Sequence, residues 1–336
     1  MPQRMLTPSF IVRALDRFVI GQDEAKKTVA VAVYSHFQKI EKSRRDGTPI
    51  VKSNILLIGS TGTGKTLMCS TLALLLDVPF VTAEATSLAH NRYVSEEIEA
   101  ILLRLVERAG GDIDKAAHGI VFIDEIDKLR AGDGQKQNNS GESVQHALLK
   151  IMEGSQVKIG TDRHIDTTNI LFICGGAFVG LQEIVTQARA YKFISMVRDD
   201  TQKVLDRLNS RVKPTDLVTF GLIPEFTARL PIVSHFKDLT RKMLVQIMTE
   251  PQNSIWSQFQ EIFRNEGVEL VIEPRTYEQI ADLAFEYKSG ARSLRGIFEE
   301  MMTPILYEIP DRRDIEKVLV TSLFTEATFV TRKSAP

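Results

Sequence analysis

Three short runs in this chain are apolar from end to end: Ile55-Leu56-Leu57-Ile58, Ile120-Val121-Phe122-Ile123 and Ile170-Leu171-Phe172-Ile173. A strand with one wet face alternates, so an unbroken apolar run requires cover on both faces, as in a parallel sheet flanked by helices. The runs predict strands over 54–59, 119–124 and 169–174, and Val78 to Thr82 supplies a further candidate. Helical patterns lie between them, at Lys65 to Leu76 and at Ser95 to Ala109. In the second helix Ser95 is placed to cap, and Ile98, Ile101, Leu102, Leu105 and Val106 form one apolar stripe. Strand–helix alternation of this kind specifies a doubly wound α/β domain. From about Asp238 the pattern changes to helices over 255–263, 277–287 and 292–309, the last interrupted at Pro304, with short β-rich pieces at 268–272 and 317–321. This predicts a large domain over 1–235, a hinge near 231–240, and a smaller α+β, mostly helical domain over 236–336. Residues 130–142 are rich in Gly, Asn and Gln and read as an exposed loop.

The first apolar run leads directly into Gly59-Ser60-Thr61-Gly62-Thr63-Gly64-Lys65-Thr66, followed by Leu67. Glycines at this spacing let backbone N–H groups curl around phosphates, and the helix that follows turns its positive end toward them. Lys65 is placed to reach the β- and γ-phosphates of ATP, and the Thr66 hydroxyl to ligate Mg²⁺. The second run ends in Asp124-Glu125. An acid at the end of a covered strand can hold Mg²⁺ through water, and its neighbour can orient and polarise an attacking water. The pair therefore points to hydrolysis rather than to binding alone.

Composition excludes several classes. The net charge of −1 offers no basic field for nucleic acid, and 43% apolar with 25% charged residues is ordinary for a globular chain. Cys69 and Cys174 stand far apart in apolar contexts, as buried small hydrophobes in a reducing compartment do. Arg4, Arg13, Asp16 and Arg17 break any secretory core, and no apolar run approaches the ~18 residues of a spanning helix. The expectation is a cytoplasmic protein without a membrane partner.

The motifs together resemble the AAA+ ATPases and, within them, the ClpX type that unfolds proteins for a partner peptidase. The resemblance runs from Phe18-Val19-Ile20-Gly21-Gln22 through the phosphate loop and acidic strand to LFICGGAF at 171–178, FGLIPEFTARLP at 220–231 and SGARSLRG at 289–296. It implies an AAA+ large domain, with ATP between large and small domains and a ring of subunits, a hexamer, acting on polypeptide. It also implies that Val19 and Ile20 contact adenine and that Arg229 reaches the γ-phosphate of a neighbouring subunit. Arg292 would sense nucleotide state, and Tyr93 and Val94 would press on substrate in the pore.

The sequence departs from that type in several places. With two cysteines in 336 residues, the expectation is a chain without the N-terminal zinc domain of that type. The pore motif reads Asn91-Arg92-Tyr93-Val94-Ser95, without its flanking glycines, and a second pore loop, matched to 134–141, carries QKQNNS. The basic segment at the pore entrance shrinks to Asp162-Arg163-His164, and no polar residue follows Ile173-Cys174-Gly175. The Ile-Gly-Phe loop that docks a ClpP-like peptidase has no counterpart in the charged stretch from Arg189 to Lys213. The leading reading is an ATP-driven protein unfoldase or remodelling chaperone. A ClpP-linked protease subunit, a nucleic-acid machine of the loader or helicase kind and a non-hydrolysing switch are its rivals.

Overall fold

The computed structural model describes residues 7–90, 94–130, 138–160, 162–190 and 212–332. The chain forms two compact units. One comprises Met1–Val12, Glu24–Gly59 and Lys65–Phe236, and the other Arg13–Asp23, Ser60–Gly64 and Lys237–Pro336.

In the first unit β1 (Ile55–Ile58), β2 (Phe80–Glu84), β3 (Ile120–Asp124), β6 (Leu171–Gly176) and β7 (Ile232–His235) form a sheet in the order β2-β3-β6-β1-β7. Every pairing in it is parallel, with Leu56 opposite both Cys174 and Val233. The apolar runs predicted to be covered on both faces are its three central strands, and nearly every residue of them is buried. Helices cover them: α2 (Asp23–Asp46), α3 (Lys65–Leu76), α5 (Val94–Arg108) and α7 (Asn138–Glu153) are the longest. The stripe Ile98, Ile101, Leu102, Leu105 and Val106 is the buried face of α5. β4 (Gln156–Ile159) and β5 (Arg163–Asp166) make a separate antiparallel hairpin that the sequence reading did not anticipate. Short helices α4 (Ala85–His90), α6 (Ile113–Ala116), α8 (Leu181–Ala190), α9 (Pro214–Phe220) and α10 (Pro224–Ala228) fill the connections, and α1 (Pro8–Leu15) opens the described chain. Cys69 and Cys174 are free and buried.

Several boundaries differ from expectation. The second strand starts at Phe80, not Val78; Pro79 has no N–H for a ladder, and its carbonyl instead accepts from Ile120. Ser95 does not cap α5, because Val94 is already helical. The loop expected over 130–142 is helical from Asn138, and residues 131–137 lie outside the described residues. The hinge expected over 231–240 is occupied at 232–235 by β7.

The second unit packs α11 (Arg241–Thr249), α12 (Ile255–Asn265), α13 (Pro274–Glu286) and α14 (Arg292–Glu308) with β8 (Glu269–Ile272), β9 (Ile315–Val320) and β10 (Thr328–Thr331). The strands lie in the order β10-β9-β8, with β8 parallel and β10 antiparallel to β9. Thr240 and Ser254 cap α11 and α12 by accepting from Met243 N and Ser257 N. Phe298 anchors the core between Phe259, 4.9 Å away, and Tyr277, at 6.5 Å. The fold is thus an α/β unit with a parallel sheet and a smaller, mostly helical unit with its own sheet.

Candidate active site

β1 hands the chain to the phosphate loop at its carboxyl end, and β3 ends in Asp124. β6 lies between them in the sheet. Ligands of open α/β sheets bind in such a crevice outside the carboxyl ends of the strands. Gly59 is glycine for a steric reason: a Cβ there would stand 2.6 Å from Cβ of Phe236, whose N–H donates to Ile58. Lys65 opens α3, is only 7% exposed, and donates from Nζ to the Gly59 carbonyl at 2.6 Å, so its ammonium is folded back across the loop. Thr66 and Leu67, one residue further along α3, are exposed. Asp124 and Lys65 lie near enough to the buried Cys69 for their charges to act on its thiol. Burial chiefly pushes that thiol's pKa up; the Asp124 charge adds to the shift and the Lys65 charge opposes it.

Glu125 sits in left-handed backbone, φ 59°, with its N–H bonded to Asp124 Oδ1 at 2.9 Å. A non-glycine residue in that region marks a carboxylate turned out of the strand direction by its surroundings. The Thr86 hydroxyl, in α4, donates to Glu125 Oε2 at 3.3 Å. Two residues on, Asp127 is buried and accepts from Ala177 N at 3.3 Å and Phe178 N at 3.2 Å, tying the acidic strand to the turn after β6. This explains the missing polar residue at the end of β6. A Cβ on Gly175 would stand 3.0 Å from Asp124 Oδ1, and one on Gly176 2.5 Å from Asp127 Oδ1. The two carboxylates, with the rings of Phe122 and Phe178, already occupy that space. Thr86 and Asp127 escaped the sequence reading because neither belongs to a recognisable spacing, although Asp127 closes the run Asp124-Glu125-Ile126-Asp127.

Arg229 ends α10 and stands at the opposite end of the sheet. Its carbonyl accepts from Asn54 Nδ2 at 3.1 Å, and Asn54 is the residue that enters β1. The four residues of β1 separate Asn54 from Gly59, five residue steps that rise roughly 16 Å. Its guanidinium pairs with Glu153, the last residue of α7, at 2.5 Å, and both side chains are about half exposed.

In the second unit, Ser60–Gly64 makes its own contacts. Gly62 and Gly64 have φ of 77° and 98°, values that glycine alone adopts without strain. Ser60 Oγ donates to Asp238 at 2.6 Å, Thr63 Oγ1 to the Ser60 carbonyl at 2.8 Å, and Ala291 N to the Gly62 carbonyl at 3.1 Å. Thr61 is exposed, and its carbonyl lies 2.7 Å from where a Cβ on Gly290 would sit. Val19 is buried and Ile20 half-buried, with Val19 Cγ1 3.9 Å from the Cβ position of Gly64. Gln22 bonds both the N–H and the carbonyl of Lys237, at 2.9 and 2.8 Å. Gln22 closes the motif that begins at Phe18, but the sequence assigned it no role. Arg292 is the exposed first residue of α14 and has no ion pair among the described residues. Tyr93, with Asn91 and Arg92, lies outside the described residues, as does most of Arg189 to Lys213; Val94 begins α5.

A phosphate loop after an inner strand of a parallel sheet, an acid pair two strands away and a small helical unit after the sheet define a P-loop ATPase of the AAA+ class. Residues 51–233 match the AAA domain (Cdc48 subfamily), and residues 239–321 match the C-terminal, D2-small domain, of ClpB protein. The chain is 44% identical to the ATP-dependent Clp protease ATP-binding subunit ClpX of Bacteroides fragilis, over 93% of this chain and 80% of that one. It is 44% identical to the ClpX of Bacteroides thetaiotaomicron, over 90% and 77%, and 41% identical to that of Borrelia duttonii, over 95% and 78%. The chain belongs to the ClpX family of AAA+ ATPases. It binds nucleotide and is an ATPase of the Clp chaperone type; the nucleic-acid and non-hydrolysing readings are not favoured.

Proposed function

We propose that this ATPase works as a ring, a hexamer, in which hydrolysis drives polypeptide through a central pore, in the cytoplasm. The observation that supports assembly most directly is the placement of Arg229 at the far end of β1 from Gly59, beyond the reach of its own phosphate loop. An arginine so placed is free to serve a neighbour's site rather than its own, where its fork would stabilise charge spread over transferring phosphoryl oxygens. Residues 59–67 cradle the phosphates, Lys65 leaving the Gly59 carbonyl for them. Glu125, steered by Thr86, acts as the base that orients water, and Val19 and Ile20 flank adenine. Arg292 places a cation at the positive end of α14, where an anion is favoured.

Magnesium fits the donors present. Thr66 and Asp124 offer hard oxygens, and Mg²⁺ takes only one or two protein groups beside phosphate and water. Among the described residues no cluster of three or more His, Cys, Asp or Glu offers a full protein cage. Magnesium supplies charge neutralisation on the β- and γ-phosphates when bound. The domain division we adopt is 1–235 and 236–336, with Tyr93 and Val94 as the substrate-pressing pair. The named relatives are Clp protease subunits; since the sequence contains no Ile-Gly-Phe triplet, we assign this chain a role that does not use that docking mode.

The test is ATP-dependent loss of fluorescence from a folded fluorescent protein bearing an unstructured tail, run beside steady-state ATPase. Lys65→Ala should abolish nucleotide binding, whereas Glu125→Gln should retain ATP and lose turnover by a factor of about 10² or more. Equal turnover in wild type and Glu125→Gln would overturn the assignment of the base. Full ATPase activity with no unfolding of any tailed substrate would overturn the unfoldase reading.

A further inference from the structure

We infer that Glu153 is a latch for Arg229, holding the guanidinium inside its own subunit until a neighbour's nucleotide draws it away. The inference rests on the reading of Arg229 as the residue that completes a neighbouring site. It is carried by a contrast between backbone and side chain at one position. The backbone of Arg229 is fixed: its N–H donates to Phe226 and its carbonyl accepts from Asn54, a buried residue that also donates to the Met152 carbonyl. Asn54 thereby fastens Arg229 to the carboxyl end of α7, where Glu153 is the next residue. Among the described residues the side chain has only Glu153 Oε1, through one nitrogen, at 2.5 Å.

A one-pronged ion pair at this exposure is weak and screened by salt. A phosphate chain offers more charge and a surface that both prongs of the fork can grip. The arginine therefore rests on Glu153 in an isolated subunit and exchanges to phosphate only where a neighbour presents one. The carboxylate competes directly with the γ-phosphate, so it lowers the fraction of engaged arginines at every interface. Its rigid mount on α7 keeps that competition from depending on loop position. Glu153 is thus a positioning residue that acts through Arg229, not a group that touches substrate.

The experiment compares basal ATPase kinetics of the full chain at one protein concentration in wild type, Glu153→Gln, Glu153→Asp, Arg229→Ala and the double variant Glu153→Gln/Arg229→Ala. Glu153→Gln keeps the shape and removes the charge. Its kcat should rise about two- to fivefold, the factor by which an exposed pair is worth breaking, with KM for ATP unchanged. Glu153→Asp should return most of the way to the wild-type rate, and the double variant should match Arg229→Ala. A role confined to holding the fold would lower kcat and leave the conservative variant intermediate. A Glu153→Gln rate at or below wild type, with Arg229→Ala inactive, would overturn the latch alone. A faster rate that survives in the Arg229→Ala background would also overturn it, since the effect would not pass through the arginine. A wild-type rate in Arg229→Ala would overturn the reading of Arg229 and the latch with it.

Discussion

His36 shows how much one buried titratable group can set the conditions under which the first unit holds together. Its ring lies in α2, Nε2 donates to the Asn169 carbonyl at 3.0 Å, and burial lowers its pKa to about 4, with Lys52 and Lys39 adding to the shift. Lys52 is itself lowered to about 7 by burial, partly offset by Asp166, and donates to the Thr167 carbonyl at 2.7 Å. For His36 the folded state refuses a proton that the unfolded chain takes up below about pH 6.5. The unfolded state then binds more protons between pH 6.5 and 4, so stability rises with pH through that window and falls on acidification. The full shift corresponds to about 3 kcal/mol. His36→Asn keeps a donor for Asn169 and removes the titration. Unfolding free energies from urea titrations at pH 4.5 and 6.5 should therefore differ by about 2 kcal/mol less in the variant than in wild type. An identical pH dependence in the two proteins would show that His36 titrates normally. Lys52 acts in the same direction at higher pH: its folded pKa is also depressed, so it adds stability as pH rises from about 7 toward 10.5.

At the scale of elements, α14 tests how far a sequence rule bends. Pro304 reads as an interruption, yet the helix runs unbroken from Arg292 to Glu308. Proline deprives the Glu300 carbonyl of its partner, but that turn faces solvent, where water can serve instead, and the Thr303 hydroxyl bonds the Glu299 carbonyl at 2.7 Å. Leu294, Ile297, Phe298, Met302 and Ile305 meanwhile bury the opposite face, and that burial outweighs the lost bond. Pro304→Ala should restore the bond and raise stability by about 1–2 kcal/mol, read as a higher thermal midpoint; a lower one would mean the kink is needed for packing. The same weighing explains what the sequence made legible. Wholly apolar strands and the apolar stripe of α5 announce themselves because burial alone dictates them, and the phosphate loop because its glycines answer a backbone requirement. The β4–β5 hairpin stayed hidden: its exposure pattern keeps only Ile159 and Ile165 fully buried, too few for a periodic signal. Thr86, Asp127 and Gln22 stayed hidden for a different reason. Each works through hydrogen bonds to groups distant in sequence, and no local pattern records such contacts.

For the whole molecule, the position of Arg229 turns a question of oligomeric state into one of complementation. If the arginine served its own phosphate loop, a subunit lacking Arg229 and a subunit lacking Glu125 would each remain dead in any mixture. In a head-to-tail ring every site combines a glutamate from one copy with an arginine from the next, and the interface is heterologous. An Arg229→Ala subunit keeps its glutamate, and an Glu125→Gln neighbour keeps its arginine, so that pairing restores one working site. Random assembly of equal amounts places about one quarter of sites in this arrangement. The mixture should therefore recover up to about a quarter of the wild-type ATPase rate, from two preparations that are each inactive. Wild-type specific activity should also fall steeply on dilution, as subunits separate and Arg229 loses the neighbour it serves. The measurement is steady-state ATPase across a mixing series, read beside mass in solution. A mixture as inactive as its parents, together with a specific activity that is independent of concentration in a confirmed monomer, would show that each chain completes its own site.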